Sequence, residues 1–530
     1  MSKQATKNAK PKLSSKTGSK SKNKAFTDVI KIESVIDYVI LFLTVAYFIF
    51  YIFKLHSSLG NTFFWADENV HAYITSIIQK TKSLPAVLPD DVFGDVEYSY
   101  PPFFHILSAI VMSIAGFSAL KFTNLILLVL FLTGFYFLIR NYYSNSAALI
   151  ACLLISLSPT IAVNSIRFMT EMLSMLMIFL SFFFLAVALK KSKKNYAILS
   201  GLSTGLLLLS KQVGITVLGF YSLLLVWFFF KNKNDVKLML YVIGIAVGVY
   251  TPYLIWAIYN GVEVFGFLSV FLGTKPEWAT DAVKSFRDSE SALKEFAYLF
   301  YTGNGAIITV SILIPLYHFL RTRAKDRPQN YFFLMTVYLA GVMVVWHITN
   351  QRHTITLLPL ITFLCGYALR QLVTNKIAIR STIILLLVTA AFFAYKMPSY
   401  RERYNAPVAL LDIAAVIQED NSSDGRTLVI HAIDFLMFTR KPVIWPSPTL
   451  RNAPINLFAK QPPDKLYGLL KQYNIDFIMI DTRHVVDTDD FTGLNYPLPF
   501  IRNCEKLDQQ GKLSLKAISD SKKFILLKVI

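Results

Sequence analysis

Cysteine is scarce: Cys152, Cys365 and Cys504 are the three among 530 residues. Two fall in apolar runs and the third stands alone near the C-terminus, so neither a disulfide framework nor a zinc site can be assembled, and cysteine chemistry is excluded as the function. Charge is scarce too. Asp, Glu, Lys and Arg make up 16% of the chain, against roughly 25% in a soluble domain, while 54% is hydrophobic and the mean hydropathy is +0.48. A soluble enzyme is excluded. Acid is shortest of all in the first 26 residues, which hold eight lysines and no Asp or Glu. With almost nothing to bury, residues 1–30 read as a disordered basic tail that touches anionic headgroups and keeps the N-terminus cytoplasmic. Nucleic-acid binding is the lesser reading of such a lysine run, and no nucleic acid is expected as a partner. A cleavable signal peptide is not expected, because the apolar run near residue 37 starts late and is long enough to span.

What the chain has in abundance is long apolar runs. They lie at 37–55, 120–139, 146–163, 170–189, 196–210, 212–230, 237–256, 304–320, 331–348, 354–371 and 380–396, each near the length that crosses a bilayer. Basic loops separate some of them: Lys190-Lys191-Ser192-Lys193-Lys194, Lys231-Asn232-Lys233, Arg321-Thr322-Arg323-Ala324-Lys325 and the stretch from Arg370 to Arg380. Placing these loops in the cytoplasm requires that residues 101–117, after Pro101-Pro102, lie on the outer leaflet without crossing. The expectation is a polytopic α-helical membrane protein of about 11 spans, N-terminus in and C-terminus out. The membrane domain covers 31–400, with outer loops at 56–118 and 257–300. The second loop carries Trp278, Asp281, Arg287 and Glu290.

From 401 to 530 the composition turns soluble. Apolar runs at Thr427–His431, Pro442–Trp445, Phe477–Asp481 and Lys523–Val529 alternate with expected helices at 407–419 and 463–473, which predicts a small extracytoplasmic α/β domain. Asn421-Ser422-Ser423 is a glycosylation sequon within it. No internal repeat is visible.

That topology puts the strongly polar residues outside the lysine loops on one face. Asp67 and Glu68 follow the first span, ahead of an amphipathic stretch at 69–82. They can simply cap that helix, where negative charge is favourable. They can also take a proton from an acceptor hydroxyl or amine, if shielding at the membrane surface raises a carboxylate pKa. Arg167 and Glu171, four apart, can be an ion pair over one helical turn. Yet both sit at the mouth of apolar spans, where ionisable groups are costly and tend to be functional. Lys211 can be a snorkelling lysine and Arg352 a helix anchor. Three cations converging with acids on one face instead make a phosphate site.

The order Asp67-Glu68, Tyr100-Pro101-Pro102, Arg167-Phe168-Met169-Thr170-Glu171, Gly205 to Ser210-Lys211, and Arg352-His353 before Leu357-Leu358-Pro359 resembles the GT-C glycosyltransferases. Within them the likeness is to the protein O-mannosyltransferase and lipid A aminoarabinose transferase branch, over roughly residues 35–375. The resemblance implies a polyprenyl- or dolichyl-phosphate sugar donor, an outward-facing site and inverting transfer. It implies Asp67 as general base with Glu68 beside it, and Glu171 as the acid partner of Arg167. Arg167, Lys211 and Arg352 then hold the donor phosphate, and His71, Tyr100 and His353 line the pocket. The chain departs from the family pattern in Glu171 where Asp is common, in Gln212-Val213 after the lysine, and in His353 after Arg352.

No cofactor is expected by preference, since lysine and arginine can neutralise the leaving phosphate. Mg or Mn held by Asp67, Glu68 and Glu171 is the other option. Expected partners are the lipid-linked donor, membrane lipids, and an acceptor lipid, glycan or protein, in the plasma membrane or endoplasmic reticulum. A transporter or flippase of lipid-linked sugars is the competing class; it would place its ionisable groups at mid-membrane in repeated halves.

Overall fold

The structure is a computed structural model, described for residues 35–59, 67–86, 100–262, 289–322, 327–345, 351–397, 408–420, 425–429, 443–444, 458–459, 461–487, 496–519 and 523–530. The basic tail, Trp278, Asp281, Arg287 and the Asn421 sequon lie outside those residues.

The helices in chain order are α1 (Val35–Ser57), α2 (Asp67–Thr81), α3 (Phe103–Ala115), α4 (Thr123–Tyr142), α5 (Asn145–Ser156), α6 (Pro159–Ile166), α7 (Glu171–Lys191), α8 (Lys194–Leu208), α9 (Val213–Lys231), α10 (Lys233–Tyr259), α11 (Ser289–Ser311), α12 (Leu313–Thr322), α13 (Arg327–Val345), α14 (Leu358–Leu372) and α15 (Lys376–Lys396). Among the described residues seven helices are long and apolar enough to cross a membrane, and an eighth if α5 and α6 count as one bent span. The architecture is that of an integral membrane protein. α3 has 13 residues, about 20 Å of helix against a hydrocarbon core of about 30 Å.

Two expectations are corrected. The run at 146–163 is not one straight span: α5 and α6 meet at 72°, because Ser158 caps the second helix through the Ile161 amide and Pro159 occupies its first turn. Helix also extends into the expected outer loop, with α11 starting at Ser289 and kinking at Gly305, whose φ of 79° lies outside the helical region.

α7 is buried on nearly every side, as expected of a helix apolar all round. Phe179 meets Phe135 edge-on at 4.6 Å between ring centroids. Gly201 and Gly205 allow α8 and α10 to touch backbone to side chain: a Cβ on Gly205 would stand 2.5 Å from Val249 Cβ.

The C-terminal region is an α/β layer. β1 (Arg426–Leu428), β2 (Val443–Ile444), β3 (Ile475–Asp481), β4 (Val485–Val486), β5 (Tyr496–Pro497), β6 (Leu513–Ile518) and β7 (Phe524–Val529) are accompanied by α16 (Val408–Glu419), α17 (Pro463–Gln472) and α18 (Leu498–Gln509). The main sheet has the order β2-β1-β3-β7-β6. The β1–β2 and β1–β3 pairs are parallel, and β7 runs antiparallel to β3 and β6. Both faces are covered. Phe477 and Met479 of β3 join one apolar cluster and Ile478 and Ile480 the other, the period-two alternation of a strand.

The first of those clusters also contains Ile74 and Ile78 of α2, packed with Leu410, Ile413 and Ile417 of α16 and with Phe524 and Leu526 of β7. Ala72, on another face of α2, joins the core of the membrane bundle. α2 is therefore gripped between bundle and sheet.

Candidate active site

The bundle has two chemically different ends. α7 opens at Glu171 and closes at Lys190-Lys191, and α9 starts just after Lys211 and closes at Lys231. Glu171 and Lys211 thus share one end, and the lysine loops the other. At the lysine end Arg380 holds Asp37 of α1 at 2.9 Å.

At the opposite end, the break between α6 and α7 presents Arg167. Helix α6 ends at Ile166, Arg167 is extended (φ −99°, ψ 143°), and helix resumes at Glu171. Arg167 and Glu171 therefore do not share a helical turn, and the expected pairing between them gives way to two others. Arg167 Nε donates to Glu68 Oε1 at 2.7 Å, and the Phe168 amide donates to Glu68 Oε2 at 3.0 Å. Both oxygens of Glu68, which is buried in the first turn of α2, are engaged.

Glu171 meets the other two cations. Lys211 Nζ donates to its Oε1 at 2.9 Å, and Arg352 Nε stands 3.5 Å from the same oxygen. Lys211 is set by the C-terminal end of α8, where its amide donates to the Leu207 carbonyl at 2.9 Å. Arg352 and His353 sit in a 3-10 turn, Gln351–Thr356. Asn304 holds that turn, donating to Thr354 Oγ1 at 3.0 Å and accepting from Ser158 Oγ at 2.9 Å. His353 adds to the positive surroundings of Glu171. Glu171 is buried, and its Oε2 has no hydrogen-bond partner among the described residues. An anion brought to this end meets three cations whose geometry is already set by two carboxylates.

One turn along α2 from Glu68, His71 Nδ1 lies 2.9 Å from His105 Nε2 of α3, and the Tyr100 ring meets His71 edge-on at 5.5 Å. Burial holds the His105 pKa well below its usual value near 6.5, and the neighbouring His71 adds to the shift. His105 is thus held as the neutral ring, and its contact with His71 is a hydrogen bond between the two ring nitrogens. Asp67 opens α2, and its side chain lies outside the described part of the structure.

Of the three acids expected to be able to hold a metal, Glu68 is engaged by Arg167 and Glu171 by Lys211 and Arg352, and the side chain of Asp67 lies outside the described residues. Among the described residues no group of three or more His, Cys, Asp and Glu is placed to hold a metal.

Residues 99–256 match the family model for dolichyl-phosphate-mannose-protein mannosyltransferase. No curated protein matches the chain. Among solved structures, the chain is similar to ArnT from Cupriavidus metallidurans bound to undecaprenyl phosphate, at 12% identity and a TM-score of 0.63, covering 93% of this chain and 98% of that one. It is also similar to the Archaeoglobus fulgidus oligosaccharyltransferase AglB in complex with an inhibitory peptide and a dolichol-phosphate, at 13% identity and a TM-score of 0.56, covering 84% and 69%. The zinc and sulfate complex of the same archaeal enzyme aligns at 15% identity with a TM-score of 0.57, covering 84% and 68%. The fold is that of the GT-C glycosyltransferases, and the chain resembles them in sequence over the matched stretch.

His105 and Asn304 give no signal of these roles in the sequence. Each is a lone polar residue in or beside an apolar run, and nothing in its neighbours signals the partner it finds across the fold.

Proposed function

We propose that the chain is an integral-membrane glycosyltransferase. It moves a sugar from a polyprenyl- or dolichyl-phosphate donor to an acceptor lipid, glycan or protein on the extracytoplasmic or lumenal side, with inversion. The observation that carries this reading is the gathering of Arg167, Lys211 and Arg352 with two buried carboxylates at one end of membrane-length helices. A lipid-linked donor stays in the bilayer, so an enzyme using one must bring its site to the headgroup plane. ArnT and AglB, which share the fold, are described with undecaprenyl phosphate and dolichol-phosphate respectively. A transporter's ionisable groups at mid-membrane are not what this arrangement resembles.

In the proposed reaction an acceptor oxygen or nitrogen attacks the anomeric carbon from the side opposite the phosphate. The new glycosidic bond forms as the carbon–oxygen bond to phosphate breaks, and the electron pair leaves on the polyprenyl phosphate. Arg167, Lys211 and Arg352 stabilise that growing negative charge through charge-assisted hydrogen bonds. Asp67 takes the acceptor's proton. Glu68, with both oxygens engaged, holds Arg167 in place, and Glu171 holds Lys211 and Arg352. His71, Tyr100 and His353 line the pocket, and the cations make a divalent metal unnecessary. The basic loops keep the opposite end cytoplasmic. The chain crosses about 11 times, and the C-terminal α/β region stands on the donor side.

The test is transfer from a panel of polyprenyl-phosphate sugars in membranes, wild type beside Asp67→Asn. Donor-dependent product that disappears in the variant supports the reading. Product undiminished in Asp67→Asn rejects Asp67 as base, and wild-type turnover of no donor across a full acceptor panel rejects the transferase.

A further inference from the structure

We infer that Asn124 is a positioning residue for the donor-phosphate site, acting by hydrogen bonds to the backbone of the loop that carries Arg167. The inference rests on the donor-site reading above.

Asn124 lies in the first turn of α4 and is fully buried. Its side-chain nitrogen reaches three main-chain carbonyls, one in the last turn of α6 and two in the α6–α7 break: Asn164 at 3.1 Å, Arg167 at 2.5 Å and Met169 at 2.8 Å. These carbonyls sit where helix stops, so the usual bond from an amide four residues on is lost or weakened, although the Arg167 carbonyl also accepts from the Met169 amide at 3.1 Å. An unpaired carbonyl buried among apolar side chains is costly. The orientation of the carboxamide follows from its partners. All three are acceptors, so only the NH2 can face them, and the Oδ1 is left without a hydrogen-bond partner among the described residues. Two hydrogens serve three carbonyls, which ties the bonds together: the loop cannot shift at one point without loosening the others.

What this loop carries makes the clamp consequential. Arg167, whose carbonyl Asn124 holds, grips one oxygen of Glu68, and the next amide, Phe168, grips the other. Met169, also held, is two residues before Glu171, the partner of Lys211 and Arg352. One carboxamide thus fixes the backbone between the two ion pairs. It touches neither donor nor acceptor in the proposed reaction, so its loss should weaken donor binding by loosening Arg167 and leave the chemistry of Asp67 intact.

The experiment measures undecaprenyl-phosphate affinity on purified full-length protein in detergent, with thermal melts confirming that each variant is folded. Wild type, Asn124→Ala, Asn124→Asp, Glu68→Gln and the Asn124→Ala/Glu68→Gln pair form the set. Asn124→Asp keeps the shape and removes the amide hydrogens. Asn124→Ala and Asn124→Asp are each expected to weaken binding about tenfold, and Asn124→Ala to weaken it less than about threefold once Glu68→Gln is present, the non-additivity of groups acting through one another. If Asn124→Ala does not fold, Asn124→Ser, which keeps one hydroxyl donor, enters the same cycle with a smaller loss. Wild-type affinity in folded Asn124→Asp, or equal losses with and without Glu68, overturns the inference while the donor-site reading stands. A wild type that binds no polyprenyl phosphate overturns that reading, and the inference with it.

Discussion

Arg167 Nε lies 2.7 Å from Glu68 Oε1, although 99 residues separate them. Their side chains are 16% and 6% exposed, so the pair is largely withdrawn from solvent. It ties the helix that opens at Asp67 to the break in the bundle where the cations collect.

Removing one partner of such a pair leaves the other charge buried and uncompensated, at a cost of about 3 kcal/mol or more. Glu68→Ala should therefore lower the thermal midpoint in detergent and reduce transfer together. Glu68→Gln, which keeps an acceptor for the Phe168 amide, should lose less stability than Glu68→Ala. Equal midpoints for wild type and Glu68→Ala would show the pair to be dispensable.

Lys211→Met removes one charge from the shared Glu171 oxygen and, in this account, one contact to the donor phosphate. A hydrogen bond involving a charged group contributes about 1.5–3 kcal/mol, roughly a tenfold to hundredfold rise in donor KM. Steady-state kinetics over a donor titration reads this directly. Arg352→Met should act in the same direction. An unchanged KM in both variants would remove the phosphate role from this end of the bundle.

His105 supplies a pH dependence. Its pKa is lowered in the folded protein, so the unfolded chain binds the proton more readily. The stability this confers is present above about pH 6.5 and is lost as pH falls from there toward the depressed folded value. Melting curves from pH 8 to pH 5 should show that decline, and His105→Phe should flatten it. An identical slope in the variant would assign the decline to other groups.

Ile74 faces the sheet from the same helix that presents Glu68 and His71 to the bundle. Ile74→Ala should cost about 2–4 kcal/mol as a buried large-to-small change, and should lower transfer although Ile74 touches no reacting group. Ile413→Ala, on the α16 side of the same cluster, should do the same. Full activity in both would mean that the sheet does not brace the acid-bearing helix.

Much of the fold can be read from the chain because a bilayer imposes length. Runs such as 37–55 and 380–396 are helices for the reason that any apolar segment of that length must satisfy its own backbone. The sheet is legible for a second reason: β3 is buried on both faces and so appears as a continuous apolar run. The bend at Ser158-Pro159 is hidden, because the residues on both sides are equally apolar and only the cap differs. The pairing inside the site is hidden more deeply. Spacing of four suggested Arg167 with Glu171, but Arg167 is extended and helix resumes only at Glu171, and the partner that matters lies 99 residues away. His105, Asn124 and Asn304 carry no local signature. Their significance comes from which carbonyls, hydroxyls and rings the fold brings to them.

The central claim is that Arg167, Lys211 and Arg352 form one site for a lipid-linked phosphate. Equilibrium binding of undecaprenyl phosphate to full-length protein tests it most directly, comparing wild type with the Arg167→Met/Lys211→Met/Arg352→Met variant, with and without EDTA, once both are shown to be folded. The account predicts saturable binding by wild type, insensitive to EDTA, and affinity weakened at least about a hundredfold in the variant, the loss of several charge-assisted contacts. Equal affinity in the two proteins would contradict it.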